Sequence, residues 1–126
     1  MVIPATPSYL KVLRLVAAGL ASRLAFTIDE IEDLKIGVDE LSAYLTGAGG
    51  REGTMEIAFR IDGASISITG SGRFATADKV RTDLTDFSKM ILDTVADSAS
   101  LGQADGVPTF TLTKTKQLAD PLPATE

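Results

Sequence analysis

Few side chains in this sequence could do chemistry. Cysteine, histidine and tryptophan are absent, which removes disulfides, thiolate and imidazole metal sites, Cys or Ser-His nucleophiles and c-type haem attachment. Carboxylates, hydroxyls and amines remain, and among them Glu40 stands out. With Gly37 and Tyr44 it falls at helical steps of three and four, on a face that flanks the apolar stripe of its helix. It is a shoulder residue, near the core without being in it, open to catalysis, to a hydrogen-bonded structural role or to a partner contact. Gly70 and Gly72, in Thr69-Gly-Ser-Gly72, are a second candidate. Such a string is weak evidence for a nucleotide, because a hairpin end needs glycine for turn geometry just as often. Lys11 and Arg14, one turn apart, form a third, either a solvated helix face or a contact for a partner.

The elements that must position these residues belong to one domain. The 126 residues, 44% hydrophobic, suffice for one compact core and not for two. A net charge of -5 with no Lys/Arg-rich run argues against direct nucleic-acid or anionic-membrane binding, and favours a basic protein partner. No apolar run approaches the roughly 20 residues that span a bilayer, and the first residues do not read as a secretory signal. The expectation is a cytoplasmic protein with one domain over 1–117 and a disordered tail over 118–126, where Pro121 and Pro123 lie. No metal-ligand set is expected.

The best-specified element covers 27–47. Thr27 and Glu30 spell a T-x-x-E capping box, Phe26 and Ile31 a hydrophobic staple, and Asp29, Glu30 and Glu32 load the positive end of the helix. Ile31, Leu34, Val38, Leu41 and Leu45 give its core stripe, and Gly47 ends it. An earlier helix starts at Thr6-Pro7, with Leu10, Leu13, Ala17, Leu20 and Leu24 as stripe and Val12, Leu15 and Val16 widening it. Residues 1–5 can add an edge strand. Met55, Ile57, Phe59 and Ile61 alternate with polar residues, turn at Asp62-Gly63, and continue as Ala64, Ile66 and Ile68. The loop 70–74 then leads to a third helix over roughly 77–96, with the stripe Val80, Leu84, Phe87, Ile91 and Val95. A second hairpin pairs 98–103 with 107–114 through Asp105-Gly106. Single-faced helices and alternating strands predict an α+β two-layer sandwich, with three helices on one face of a mostly antiparallel sheet. The other face, rich in Ser and Thr, would meet water or a second subunit.

The stretch IPATPSYLKVLRLVAAGLASRLAFTIDEIEDLKIGVDEL, with strings such as ASR and TIDEIEDLKI, is similar to the N-terminal region of the anti-sigma-factor serine kinases of the RsbW and SpoIIAB type, in the GHKL ATPase superfamily. The resemblance implies a Bergerat-type sandwich, often a homodimer, that sequesters an alternative sigma factor. An anti-anti-sigma protein relieves it, and ATP-dependent phosphorylation of a serine on that antagonist resets the switch.

The family's nucleotide boxes carry over poorly. In E-x-x-x-N the Glu is the presumed base and the Asn a Mg²⁺ ligand; Glu40 matches, but Tyr44 stands in the Asn position, and a neutral phenol is a poor ligand for a hard cation. In D-x-G-x-G the Asp binds the adenine amino group; here Gly70 and Gly72 remain and the carboxylate is absent. Where a glycine lid should cradle phosphate, residues 83–89 hold no glycine and two acids, Asp83 and Asp86. The resemblance therefore implies a scaffold that has lost most of its ATP and Mg²⁺ chemistry, with Glu40, Gly70 and Gly72 vestigial. It also aligns Arg14 with a family arginine on the surface shared by sigma factor and antagonist, with Lys11 beside it. Two readings follow, a regulator that binds without turning over ATP, and an active ATP-dependent serine kinase.

Overall fold

The computed structural model describes residues 1–75 and 80–117. The tail 118–126, and residues 77–79 of the expected third helix, lie outside the described residues. In chain order the elements are β1 (Val2–Pro4), a 3-10 turn (Pro7–Tyr9), α1 (Leu10–Arg23), α2 (Ile28–Thr46), β2 (Gly53–Asp62), β3 (Ser65–Phe74), α3 (Asp86–Val95), β4 (Ser98–Ala104) and β5 (Val107–Thr115). The five strands form one sheet in the order β1-β2-β3-β5-β4, every pairing antiparallel. The architecture is the α+β two-layer sandwich read from the sequence.

Period-two patterning decides which face of the sheet is covered. Met55 and Ile57 of β2, Ile66 and Ile68 of β3, and Phe110 and Leu112 of β5 are buried with Leu13, Ala17, Leu34, Val38, Leu41 and Leu45 of the helices. The register puts Arg60, Ser67, Thr113 and Ser98 in one row of the opposite face, and Ala58, Thr69, Thr111 and Ser100 in the next. Hydroxyls bond across strands on this face, Ser67 to Thr113 at 3.0 Å and, one row further, Ser65 to Thr115 at 2.7 Å. The β4–β5 turn has positive φ at both Asp105 (54°) and Gly106 (78°), the pair of values that suits a two-residue hairpin loop.

Helix α2 lies in the middle of the helical layer, with α1 on one side and α3 on the other. Its N-terminus carries the expected capping box: the Glu30 N–H donates to Thr27 Oγ1 at 3.1 Å, and the Thr27 N–H donates to Glu30 Oε1 at 2.8 Å. Glu30 does more than the box requires. Its Oε2 accepts the Gln117 N–H at 2.7 Å, which fastens the chain beyond β5 to the start of α2. Only 8% exposed, Glu30 is raised by burial, but the N–H groups of Gln117 and Thr27, the Thr27 hydroxyl and the charge of Lys114 outweigh that and hold its carboxyl below the ordinary value. Lys114 adds a parallel tie, donating to the Val95 carbonyl at 3.0 Å and reaching Asp33 at 3.4 Å.

Several expectations need correction. Residues 70–74 are the end of β3 and not a loop, because β3 pairs with β2 as far as Phe74. Helix α3 starts at Asp86, where Thr85 caps it, and Val80 and Leu84 precede it in irregular backbone. Its buried side is Ser88, Leu92 and Val95, while Phe87 points into solvent. Val12 and Leu15 do not widen the α1 stripe; both are exposed. Ile61, past the covered part of β2, is exposed as well.

A carboxyl held below its ordinary value stabilises the fold above the unfolded-state pKa, and that contribution disappears as pH falls through the lower folded-state value. We expect Glu30→Gln to cost about 1–2 kcal/mol at neutral pH, the range of a lost cap and hydrogen bond. Urea unfolding at neutral and acid pH checks this: the gap between the two proteins should close as pH drops below the 4.5 of a free glutamate.

Candidate functional site

Gly37, Glu40 and Tyr44 line the side of α2 that meets α3. Gly37 lets the helices and sheet close up, since a Cβ there would lie 3.0 Å from the Leu112 side chain and 3.6 Å from Val95. The two helices run antiparallel, so Glu40 and Tyr44 meet the first turn of α3.

What they meet is a chain of hydroxyls. The Thr85 N–H donates to the Tyr44 phenol oxygen at 3.0 Å. Tyr44 and Ser88 share a bond of 2.7 Å, and the Ser88 hydroxyl donates to Glu40 Oε2 at 2.6 Å. A hydroxyl has one proton, so if Ser88 gives its own to Glu40, Tyr44 must donate to Ser88. The order of donation is then Thr85 N–H, Tyr44, Ser88, Glu40, ending on a carboxylate. Each link polarises the next. Thr85 Oγ1 closes the turn by accepting the Ser88 N–H at 3.0 Å, the helix N-cap bond. Ser88 is 3% exposed. Burial raises the Tyr44 phenol, but the hydroxyls of Ser88 and Thr85, the Thr85 N–H and the charge of Arg81 pull harder and leave it below its ordinary value.

This arrangement does not fit Mg-ATP. Glu40 Oε2 accepts from a buried serine of the chain itself, and the phenol in place of the Asn ligand already serves as acceptor for the α3 backbone. With its glycines at Gly70 and Gly72, a D-x-G-x-G box would put its carboxylate at position 68. Ile68 stands there, fully buried in the core. Among the described residues no three carboxylates converge on a point where a metal could sit.

Gly70 and Gly72 have a packing reason of their own. They are strand residues of β3, and a Cβ on Gly70 would sit 2.3 Å from the ring of Phe110, its cross-strand partner. A Cβ on Gly72 would sit equally close to the ring of Phe74. Aromatic rings lie where side chains would be, the way sheets cover interior glycines. Arg51 lies over the Phe74 ring, 5.5 Å from the ring centre, and its Nε donates to the Leu45 carbonyl at 2.7 Å near the end of α2.

Arg14 sits apart from this cluster, on the opposite side of α2. It pairs with Asp39, Nη1 to Oδ2 at 2.8 Å, and both side chains remain about a third exposed, 32% and 40%. Lys11 is exposed one turn earlier. The structure therefore joins Glu40 to Tyr44 and separates both from Gly70 and Gly72 and from Arg14. Sequence reasoning missed Thr85, Ser88 and Asp39. The signal for the first two was present, since Thr85-x-x-Ser88 reads as an N-cap with a hydroxyl at the third helical position.

No family model matches the chain. Curated relatives do. A serine-protein kinase RsbW from Halalkalibacterium halodurans is 37% identical over 98 residues, 74% of this chain and 60% of that protein. The protein of that name from Bacillus subtilis is 55% identical over 40 residues, 32% of this chain and 25% of the relative. The one from Bacillus pumilus is 38% identical over 66 residues, 48% and 41%. The chain thus spans 60% or less of the length of each of these relatives.

Removing the phenol oxygen strands the Thr85 N–H and weakens the hold on Ser88. We expect Tyr44→Phe to cost about 1–3 kcal/mol in chemical denaturation, with faster amide exchange confined to the first turn of α3. Gly70→Ala should cost about as much by forcing a methyl into the fully buried Phe110 ring. A thermal midpoint unchanged from the parent would contradict the close approach.

Proposed function

We propose that this chain, a homologue of the RsbW-type serine-protein kinases, is an anti-sigma-factor-like regulator. On this reading it binds an alternative sigma factor, an anti-anti-sigma antagonist, or each in turn, without efficient ATP turnover. The observation that carries the reading is the bond from the Ser88 hydroxyl to Glu40, with Tyr44 engaged beside it. Phosphoryl transfer consists almost wholly of positioning the phosphate and neutralising its charge. Here the residue aligned with the base is occupied, the aligned metal ligand is a phenol, and Asp83 and Asp86 stand where phosphate would be cradled.

The surface offered to partners includes Arg14 and Lys11. Asp39 orients Arg14 and leaves it partly exposed, so a carboxylate on a partner can compete for the guanidinium. An exposed ion pair contributes at most about 1 kcal/mol to folding. The arginine is therefore free to be judged on binding.

One observation favours the kinase reading: a carboxylate 2.6 Å from a serine hydroxyl is the geometry of a base and its nucleophile. That serine belongs to the chain and is buried, which argues for a structural bond.

Calorimetric titration with Mg-ATP to millimolar nucleotide separates the readings, and no heat of binding is expected. For the binding reading, Arg14→Ala should weaken a measured complex with sigma factor or antagonist about tenfold or more, about 1.4 kcal/mol. Asp39→Ala, which frees the arginine, should leave the complex intact or tighten it. Saturable Mg-ATP binding together with phosphate transfer to the antagonist would overturn the proposal.

A further inference from the structure

Strand β2 is longer than the strand beside it. It covers Gly53–Asp62, yet β1 lines its outer edge only from Thr54 to Glu56, and the last pair of bonds joins Met1 and Ile57 in both directions. That bonded pair fixes the parity of the edge. Odd residues of β2 turn their N–H and C=O groups outward and even ones turn theirs toward β3. Among the described residues, the outward groups of Phe59 and Ile61 have no partner. Two rungs of the ladder stand open.

The side chains around these rungs are selective. Arg60 lies between them, exposed, in no ion pair among the described residues, with the neutral Ser67 as its neighbour on β3. Ile61 is 48% exposed and Phe59 half-buried. Where β1 stops, a cavity of about 340 Å³ opens on the hydroxyl-lined face over Ala58, between Val2, Glu56, Thr69 and Ser71. Glu56 is engaged there only by a 3.5 Å contact with Arg73.

We propose that this edge takes an extended segment of another protein, antiparallel to β2 and in line with β1, whose residues follow the order apolar, acidic, apolar, basic. The apolar residues fall opposite Ile61 and Phe59, where the open rungs close. The acid falls opposite Arg60 in a non-hydrogen-bonded pair, the kind that brings side chains closest. The basic residue falls opposite Ala58, whose small side chain leaves the cavity to its stem, and its charge reaches diagonally to Glu56. Met1 fills the next rung, so the segment ends or turns away there. Charge on an edge ordinarily deters pairing; here it sorts partners by sign. No four consecutive residues of this chain spell the required order, which argues against a second copy as the occupant. The inference rests neither on the Arg14 surface nor on the sigma-factor reading.

Two acetylated and amidated pentapeptides of one composition serve as probes, Thr-Val-Glu-Val-Lys and Thr-Val-Lys-Val-Glu. In heteronuclear NMR of the full chain, the first at millimolar concentration should shift the amide signals of Phe59 and Ile61 and slow their exchange. The second should bind about fivefold more weakly or worse, because two cross-strand charge pairs turn from attractive to repulsive. Arg60→Glu should erase the difference between the peptides. Ile61→Pro removes an outward N–H without touching the β3 ladder and should abolish binding; if that variant unfolds, Arg60→Glu still decides. Equal affinity of the parent chain for both peptides, shifts centred on β4, no shift at either rung, or Phe59 and Ile61 amides already protected without peptide would each overturn the proposal.

Discussion

The helical layer depends on how the first turn of α3 is held against α2. A helix start brings unpaired N–H groups, and here they fall in a seam that is only partly open to water. The Thr85 N–H is satisfied by a phenol from the neighbouring helix, and the Ser88 N–H by the Thr85 hydroxyl. The same phenol and the Ser88 hydroxyl pass their protons toward Glu40. Remove the carboxylate and Ser88 loses its acceptor; remove the phenol and α3 loses a cap. The four groups therefore stand or fall together, which gives a carboxylate beside the core a structural role of its own.

Tyr44 explains the geometry of that seam better than an asparagine would. From one turn beyond Glu40, a phenol oxygen reaches across the interhelical gap to both Thr85 and Ser88, where a short amide would leave a space. Gly37 brings the same face of α2 close to Leu112 and Val95 further along. The pair of small and large residues lets α3 lie directly on α2. In the sheet the same logic recurs, with Phe110 over Gly70 and Phe74 over Gly72. These glycines admit the chain's own rings.

Local signals were the legible ones. The capping box of α2 rests on residues three apart, and the Asp105-Gly106 turn on two adjacent residues with positive φ. Both were readable without knowing the fold. The start of α3 was not, because Val80 and Leu84 keep helical phase with Ile91 and Val95, and phase says nothing of where a helix begins. Thr85 settles that through its cap. The end of β3 was misread because glycine in a strand resembles a loop until the covering ring, on the partner strand at Phe110 in one case, is known. The Glu30 tie to Gln117 is a contact between residues 87 apart in sequence, and no pattern in the sequence announces it. Glu40 was placed correctly beside the core, yet its partner lies 48 residues on.

A tightly bonded α2–α3 seam also constrains how such a protein could be regulated. Lid hinges are often glycines, and none occurs between positions 73 and 101. Helix α3 is anchored at its start through Thr85 and Ser88 and at its end through the Val95 carbonyl on Lys114. Differential affinity is the only means by which a ligand shifts an equilibrium, and a helix pinned at both ends has little to shift. On the proposed reading, control then comes from partners competing for an exposed surface such as that around Arg14, which Asp39 holds in place from α2. The rigidity of the α2–α3 seam is what would keep that surface in one shape.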